Sequence, residues 1–259
     1  MLTGGLMNHV WRVWRGAESF VLKVAPPHVA AAPEIPMSPG RLSFEAWALE
    51  QGFHGEGVRA PRLVDRGEDW LLMEDLGDLP SLDQALLAGR VDLAPLGRFL
   101  RTLHTRTGPD NSAVQQTRLQ VQYAPLGLQD FGERLCSSGE HLIHGDLWPR
   151  SVLVGEGELL LIDWEFCHHG RACQDLGHLL AHLWMLEHTH GVGAEGRRSF
   201  LAGYGLDQLS QDIHTHMGAE ILVRAGGPFK RGYLYQDSPL AAEAEAHAES
   251  LLSRARRSP

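Results

Sequence analysis

Hydrophobic and polar positions change their rhythm about a third of the way along the chain. In HVWRVW (9–14) and SFVLKVA (19–25) apolar residues alternate or run together, which predicts two β-strands with Gly16 in the turn between them. Residues 26–40 hold five prolines and no period, so a loop is expected. In RLSFEAWALEQG (41–52) the spacing becomes helical, with Leu42, Ala46 and Leu49 on one face and a stop at Gly52. Segments 61–65 and 70–75 read as two more strands. From there helical periods dominate. Helices are expected over 81–89, 94–106, parts of 114–136 (interrupted by Pro125 and Gly127), 173–188, 195–203, 208–223 and 239–256. Two short apolar strands, 152–154 and 159–163, are joined by a GEGE turn. The pattern predicts an α+β fold of two lobes, a small β-rich one over 1–76 and a larger, mainly helical one over 77–259, with a ligand cleft between them.

Composition narrows the function classes. At 259 residues and 43% hydrophobic, the chain can bury a sizeable core. Its formal net charge of −9, without a basic run, argues against nucleic acid as a partner. No apolar run approaches the ~20 residues that span a bilayer, so no membrane partner is expected. Cys136, Cys167 and Cys173 form no disulfide framework, and MLTGGLMNHVWRV does not read as a signal peptide. The cytoplasm is the expected compartment, and a homodimer is compatible with the sequence.

The chemistry concentrates in LIHGDLWPRSVLVGEGELLLIDWEF, residues 142–166. A polar loop displays His144, Asp146 and Ser151, and the following hairpin ends on Asp163. Two carboxylates are thus delivered to one place by neighbouring backbone ends. Phosphoryl transfer needs such a pair, one carboxylate to orient and deprotonate the attacking hydroxyl and one to hold Mg²⁺ against the phosphates of ATP. His178 and His182 stand four apart on a predicted helix, the spacing of many zinc sites, but the sequence offers neither HExxH nor a clear third ligand.

HGDL-x₄-S followed by IDWE resembles the aminoglycoside phosphotransferase and choline kinase superfamily, small-molecule relatives of the protein kinases. The resemblance implies a protein-kinase-like fold, ATP and Mg²⁺ as cofactors, and a small-molecule acceptor. It makes Asp146 the catalytic base and Asp163 a metal ligand. Ser151, standing where the family usually has Asn, becomes a catalytic-loop residue and second metal ligand. The stretch with Gly4, Gly5 and Asn8 is similar to the hairpin over the ATP phosphates. Lys23, paired with Glu45, matches the phosphate-reaching lysine. Glu74, Asp75 and Leu76 match the hinge that meets adenine, and Asp175 matches an aspartate that supports the catalytic loop. Within the superfamily the chain looks most like methylthioribose kinases, through Ser151, the D-x-E-F stretch with Glu165 and Phe166, and MGAEILVRAGG (217–227). This implies a sugar-like acceptor, with Trp148, Glu165 and Arg224 as substrate residues. The alternatives are an aminoglycoside or amino-alcohol phosphotransferase, or a catalytically weak pseudokinase-like binding protein.

Overall fold

The computed structural model describes residues 7–137, 139–225 and 241–255. Strand β1 (His9–Arg15) and strand β2 (Glu18–Val24) form an antiparallel hairpin. Gly16, at φ +64°, supplies the left-handed residue that a tight hairpin turn requires. Inside the proline-rich segment expected to be a loop, β3 (His28–Val29) and β4 (Ala32–Pro36) pair as a small hairpin. Short two-stranded ribbons of this kind leave no periodic signal. Helix α1 (Leu42–Glu50) follows, burying Leu42, Glu45, Ala46, Ala48 and Leu49.

Two-residue strands β5 (His54–Gly55) and β6 (Val58–Arg59) precede β7 (Leu63–Arg66) and β8 (Trp70–Glu74). The main sheet has the order β1-β2-β8-β7 and is antiparallel. Lys23 stands opposite Leu71 in its register.

The second part opens with α2 (Leu82–Ala88), where Ser81 N–H donates to the Gln84 side chain at 3.1 Å, half of a capping box. Helices α3 (Ala94–Leu103) and α4 (Ser112–Arg118) come next. A wide helical turn over 119–123 and a tight one over 124–126 lead to α5 (Gln129–Ser137), so Pro125 and Gly127 do interrupt the helix there. Strand β9 (His141–Ile143) enters the HGDL loop, and β10 (Val152–Val154) and β11 (Leu159–Leu161) follow it. Strand β11 runs parallel to β6 in a second sheet of order β10-β11-β6-β5, which draws residues 54–59 onto the larger lobe. Strand β12 (His168–Gly170) pairs antiparallel with β9.

Helices α6 (Ala172–His190), α7 (Ala194–Tyr204), α8 (Gln211–Ala225) and α9 (Ala241–Ala255) complete the described chain. In α6 every residue from Cys173 to Leu186 is buried, so this is the central helix of its lobe and not a surface one. It packs on α7 and α8, and α8 packs on α9. Gly177 sets the close approach of α6 and α8, since a Cβ there would lie 2.8 Å from the His216 side chain and 3.1 Å from the Ile213 carbonyl. This β-rich part followed by a helical part is the two-lobed α+β architecture expected from the pattern.

Candidate active site

Backbone pairing brings the two chemical loops together. β9 and β12 join the segments just before HGDL and just after DWEF, and Ile162 N–H donates to the Ser151 carbonyl at 2.9 Å. Gly145, at φ +88°, lets the loop pass under residue 166; an added Cβ would meet the Phe166 carbonyl at 1.9 Å. Asp175, at the start of α6, accepts from His144 N–H at 2.7 Å and Gly145 N–H at 2.9 Å, and its Oδ2 lies 3.2 Å from His104 Nε2. Burial opposes that carboxylate's charge, but its bond to His104 and the nearby His144 and Gly145 hold its pKa well below the usual range. His144 donates from Nε2 to the Ile162 carbonyl at 2.9 Å, which leaves Nδ1 to accept from Asp146 N–H at 3.3 Å. Burial lowers the His144 pKa and keeps the ring in that neutral tautomer. The Asp146 carboxyl emerges from this fixed backbone part-exposed, at 29%.

Asp163 is the one residue other than glycine with positive φ among the described residues, at 62°. A left-handed conformation there ends strand β11's run and turns the side chain outward, 45% exposed. Lys23 Nζ reaches Asp163 Oδ1 at 2.9 Å, Glu45 Oε2 at 2.7 Å and Glu165 Oε1 at 3.9 Å. Burial works against the ammonium, but Asp163, Glu45 and Glu165 outweigh it and hold its pKa well above the ordinary lysine value. Glu45 is pushed up, first by burial and then by the other carboxylates. Lys23, Glu45 and Asp163 are therefore one cluster, and a half-exposed carboxylate at its rim is the kind of hard oxygen donor that Mg²⁺ takes alongside phosphates and water.

Arg41 was not singled out by the sequence, yet it locks this region. Its guanidinium donates to Glu165 at 3.1 Å, Asn8 Oδ1 at 2.8 Å, and the carbonyls of Met7 and Ser38 at 2.9 and 2.8 Å. Asn8 in turn donates to Glu165 at 2.9 Å. Asn8 and Glu165, expected to touch nucleotide and acceptor, are 4% and 3% exposed and spend their polar atoms on Arg41 and each other. Only proximity in space could have revealed this, because 124 residues separate Arg41 from Glu165.

Ser151, expected to ligate metal, bonds within its own loop. Its hydroxyl is fully buried, donates to the Trp148 carbonyl at 2.7 Å and accepts from Trp148 N–H at 3.0 Å. The hydroxyl thus closes the catalytic-loop turn. Arg150 pairs with Asp83 of α2 at 3.1 Å and stacks over Trp148, 5.5 Å from its ring. In the segment expected to be the hinge, Glu74 pairs with Arg59 at 2.8 Å and Asp75 with Arg12 at 2.6 Å, while Leu76 follows strand β8. Gly4 and Gly5 lie outside the described residues.

Below Asp146 lies a second buried group. His178 Nδ1 is 3.8 Å from Asp146 Oδ1, and His178 Nε2 is 3.1 Å from Glu220 Oε1. His182 Nε2 lies 3.7 Å from the same oxygen. Arg224 forms an ion pair with Glu220, and Gln122 donates to the other carboxylate oxygen. Trp148 sits above, its ring 5.8 Å from that of His182. Arg224 and Trp148 thus approach this group through different members, Arg224 through Glu220 and Trp148 through His182, and the Arg224 charge is matched by Glu220.

Comparison with known proteins agrees with this geometry. Residues 109–214 match the model of the phosphotransferase enzyme family APH. The 4-hydroxytryptamine kinase of Psilocybe cyanescens is 24% identical over 78% of this chain and 72% of its own length. A methylthioribose kinase of Yersinia enterocolitica is 35% identical over 34% of this chain and 22% of its own. Choline kinase LicA from Streptococcus pneumoniae superposes with a TM-score of 0.58 at 15% identity, covering 97% of this chain and 92% of that one. An aminoglycoside phosphotransferase in ternary complex with AMP-PNP and hygromycin B gives 0.56 at 14%, covering 99% and 93%. The fold is the protein-kinase-like one these structures share. The match over 109–214 spans the HGDL and IDWE loops, and the chain is similar there to small-molecule phosphotransferases whose acceptor is a hydroxyl group. Among the described residues no helix is long and apolar enough to cross a membrane.

Proposed function

We propose that this chain transfers the γ-phosphoryl group of ATP to a hydroxyl of a small, neutral, sugar-like metabolite, methylthioribose-like in class, with Asp146 as the catalytic carboxylate. The observation that carries the reading is the juxtaposition of the Lys23–Glu45–Asp163 cluster with an Asp146 loop braced by Asp175 and His144. Lys23 would contact the phosphates, and the lobes would divide near residue 76, with Glu74 to Leu76 facing adenine through their backbone. Asp163 would hold Mg²⁺, which supplies charge neutralisation on the phosphates when bound. Asp146 orients the acceptor hydroxyl and takes its proton. Little covalent chemistry falls to the protein, so positioning and electrostatics carry the rate. Retention of all these groups favours an enzyme over a pseudokinase-like binder.

The acceptor class rests on Arg224. Because Glu220 matches its charge, the site suits a neutral polyol better than a polyamine or a strongly anionic acceptor. A second reading, a hydroxylated arylalkylamine, is favoured by Trp148 beside the loop and by the relative that acts on 4-hydroxytryptamine. An ATP-consumption screen over ribose-type, aminoglycoside and hydroxytryptamine acceptors separates them. On the best acceptor, Asp146→Asn is expected to lower kcat by ~10²–10⁴ while nucleotide affinity stays within a few fold. Turnover close to that of the parent chain would remove Asp146 from the catalytic role.

A further inference from the structure

The group beneath Asp146 has a feature that ordinary core packing does not explain. His178 is 1% exposed, yet neither of its ring nitrogens has a hydrogen-bond partner. Its Nε2 lies within 3.1 Å of Glu220 Oε1 but off the line of a hydrogen bond. Buried polar atoms that approach without bonding each other are costly unless something else pairs them. A shared cation is such a partner, because its ligands direct their lone pairs at a common point and not at one another.

The rest of the cluster fits that demand. His178 and His182 sit four apart on one face of α6, and their rings lie 5.1 Å apart. Glu220 approaches from α8, brought near by the close helix contact at Gly177. One ring nitrogen of each imidazole and a Glu220 oxygen all lie within 4.8 Å of one another, and all three residues are buried. Ligands held at ~2.0–2.2 Å from a tetrahedral zinc ion stand roughly 3.3–3.6 Å apart, close to the 3.1 and 3.7 Å from the two imidazoles to the carboxylate oxygen. Outer contacts suit a metal centre too. His178 turns its other nitrogen toward the Asp146 carboxylate at 3.8 Å, and Gln122 fixes the second oxygen of Glu220.

We propose that His178, His182 and Glu220 form a binding site for a divalent transition-metal cation of the zinc type, separate from the Mg²⁺ position at Asp163. Imidazole with one carboxylate selects zinc-like cations over Mg²⁺, which prefers oxygen donors. The cation takes the place of Arg224 on Glu220 Oε1, and Arg224, 14% exposed at its side chain, turns outward. The site fixes the α6–α8 contact and, through His178, the floor under Asp146.

The test uses the tag-free full chain, stripped with chelator and titrated with Zn²⁺ against a chromophoric competitor. One equivalent is expected to bind and to raise Tm. X-ray absorption of the zinc-loaded parent protein is expected to show two imidazoles and oxygen, a readout that needs no variant. His182→Asn and Glu220→Gln are expected to lose that equivalent while their circular dichroism stays native, and Arg224→Ala is expected to tighten binding severalfold by removing the competing cation. A parent chain that takes up no stoichiometric zinc, a spectrum without imidazole ligation, or full retention of the equivalent in both ligand variants would each overturn the site. Weaker binding in Arg224→Ala would overturn the exchange of arginine for metal.

Discussion

Two buried charged clusters meet Asp163 and Asp146, and they are built from opposite materials. The one around Lys23 is built almost wholly of ionic side chains: Lys23 and Arg41 face Glu45, Asp163 and Glu165. The one around Glu220 uses a single carboxylate, one arginine and imidazoles; burial pulls the His182 and His216 pKa values down to about 3. Three carboxylates converging on one ammonium favour a place that receives a cation and the lysine's phosphate partner. His182 and His216 are held neutral, so in the second cluster the desolvation cost falls on Glu220 and its partner Arg224. Burial alone therefore does not distinguish a charge that is locked in place from one that is held in reserve; the partners do.

The comparison is sharpest when a cation is deleted from each cluster. Lys23→Met strands Glu45, 2% exposed, beside Asp163 and Glu165. Breaking a buried pair in this way costs about 3–5 kcal/mol of folding stability. Arg224→Ala removes one partner of Glu220 but leaves Gln122 and the two imidazoles at 3.1 and 3.7 Å, so a loss of about 1.5–3 kcal/mol is expected, the range for hydrogen bonds to charged groups. Urea denaturation of both variants measures the difference. Adding Glu45→Gln to Lys23→Met should recover part of the loss, since it neutralises the stranded carboxylate. Equal costs in the two clusters, or no recovery in the double variant, would break the distinction.

Acid stability separates Glu45 from the buried imidazoles by sign. Glu45 has a raised pKa, so the native state holds its proton more tightly than the unfolded chain, and its contribution to stability declines as pH rises above the ordinary carboxylate range. His168, pushed down to about 4, and His182 and His216, at about 3, do the reverse. Their contribution is complete above pH ~6.5 and is lost as pH falls toward those values, because the unfolded chain binds the protons first. Three imidazoles outweigh one carboxylate, so chelator-treated protein is expected to gain stability from pH 4.5 to 6.5. Each net proton is worth about 1.4 kcal/mol per pH unit. Chemical denaturation at half-unit intervals measures the slope. A flat or falling curve would mean that the imidazoles are not held neutral, and zinc added at pH 6.5 should steepen the slope if His182 is a ligand.

What the chain shows in one dimension is chemistry that sits on contiguous segments. HGDL and IDWE carry their roles in a few adjacent residues, and α6 announces itself by its apolar content. The periodic reading of α6 understated it, since a helix buried on all sides needs no polar face. Pairings across large sequence gaps were not legible. Strand β6 meets β11 a hundred residues away with only two residues of its own, and β12 emerges from DWEFCHHG without alternation. Glu220 likewise joins His178 and His182 only because Gly177 lets α8 come close, so a search of α6 alone finds two of three groups. Arg41 and Glu165 form the same kind of remote pair.

Ser151 gives the smallest expected effect and bears on the cleft side of the comparison. As a metal ligand it would improve on replacement by Asn, a better donor to a hard cation. Its observed bonds point elsewhere: one hydroxyl satisfies both the carbonyl and the N–H of Trp148 from a fully buried position. Ser151→Ala removes both bonds without adding bulk, so a stability loss of about 1–3 kcal/mol is expected from the stranded backbone groups. The dependence of rate on Mg²⁺ should keep its midpoint, because no ligand has been removed, and kcat should fall severalfold as the turn carrying Trp148 and Arg150 loosens. Ser151→Asn must fit a longer amide into the same space and should lose more, even at saturating Mg²⁺. Rate-versus-Mg²⁺ curves for the two variants decide the matter. A midpoint shifted to higher Mg²⁺ in Ser151→Ala, and restored by Ser151→Asn, would return the residue to the metal and leave the loop turn without its supposed clasp.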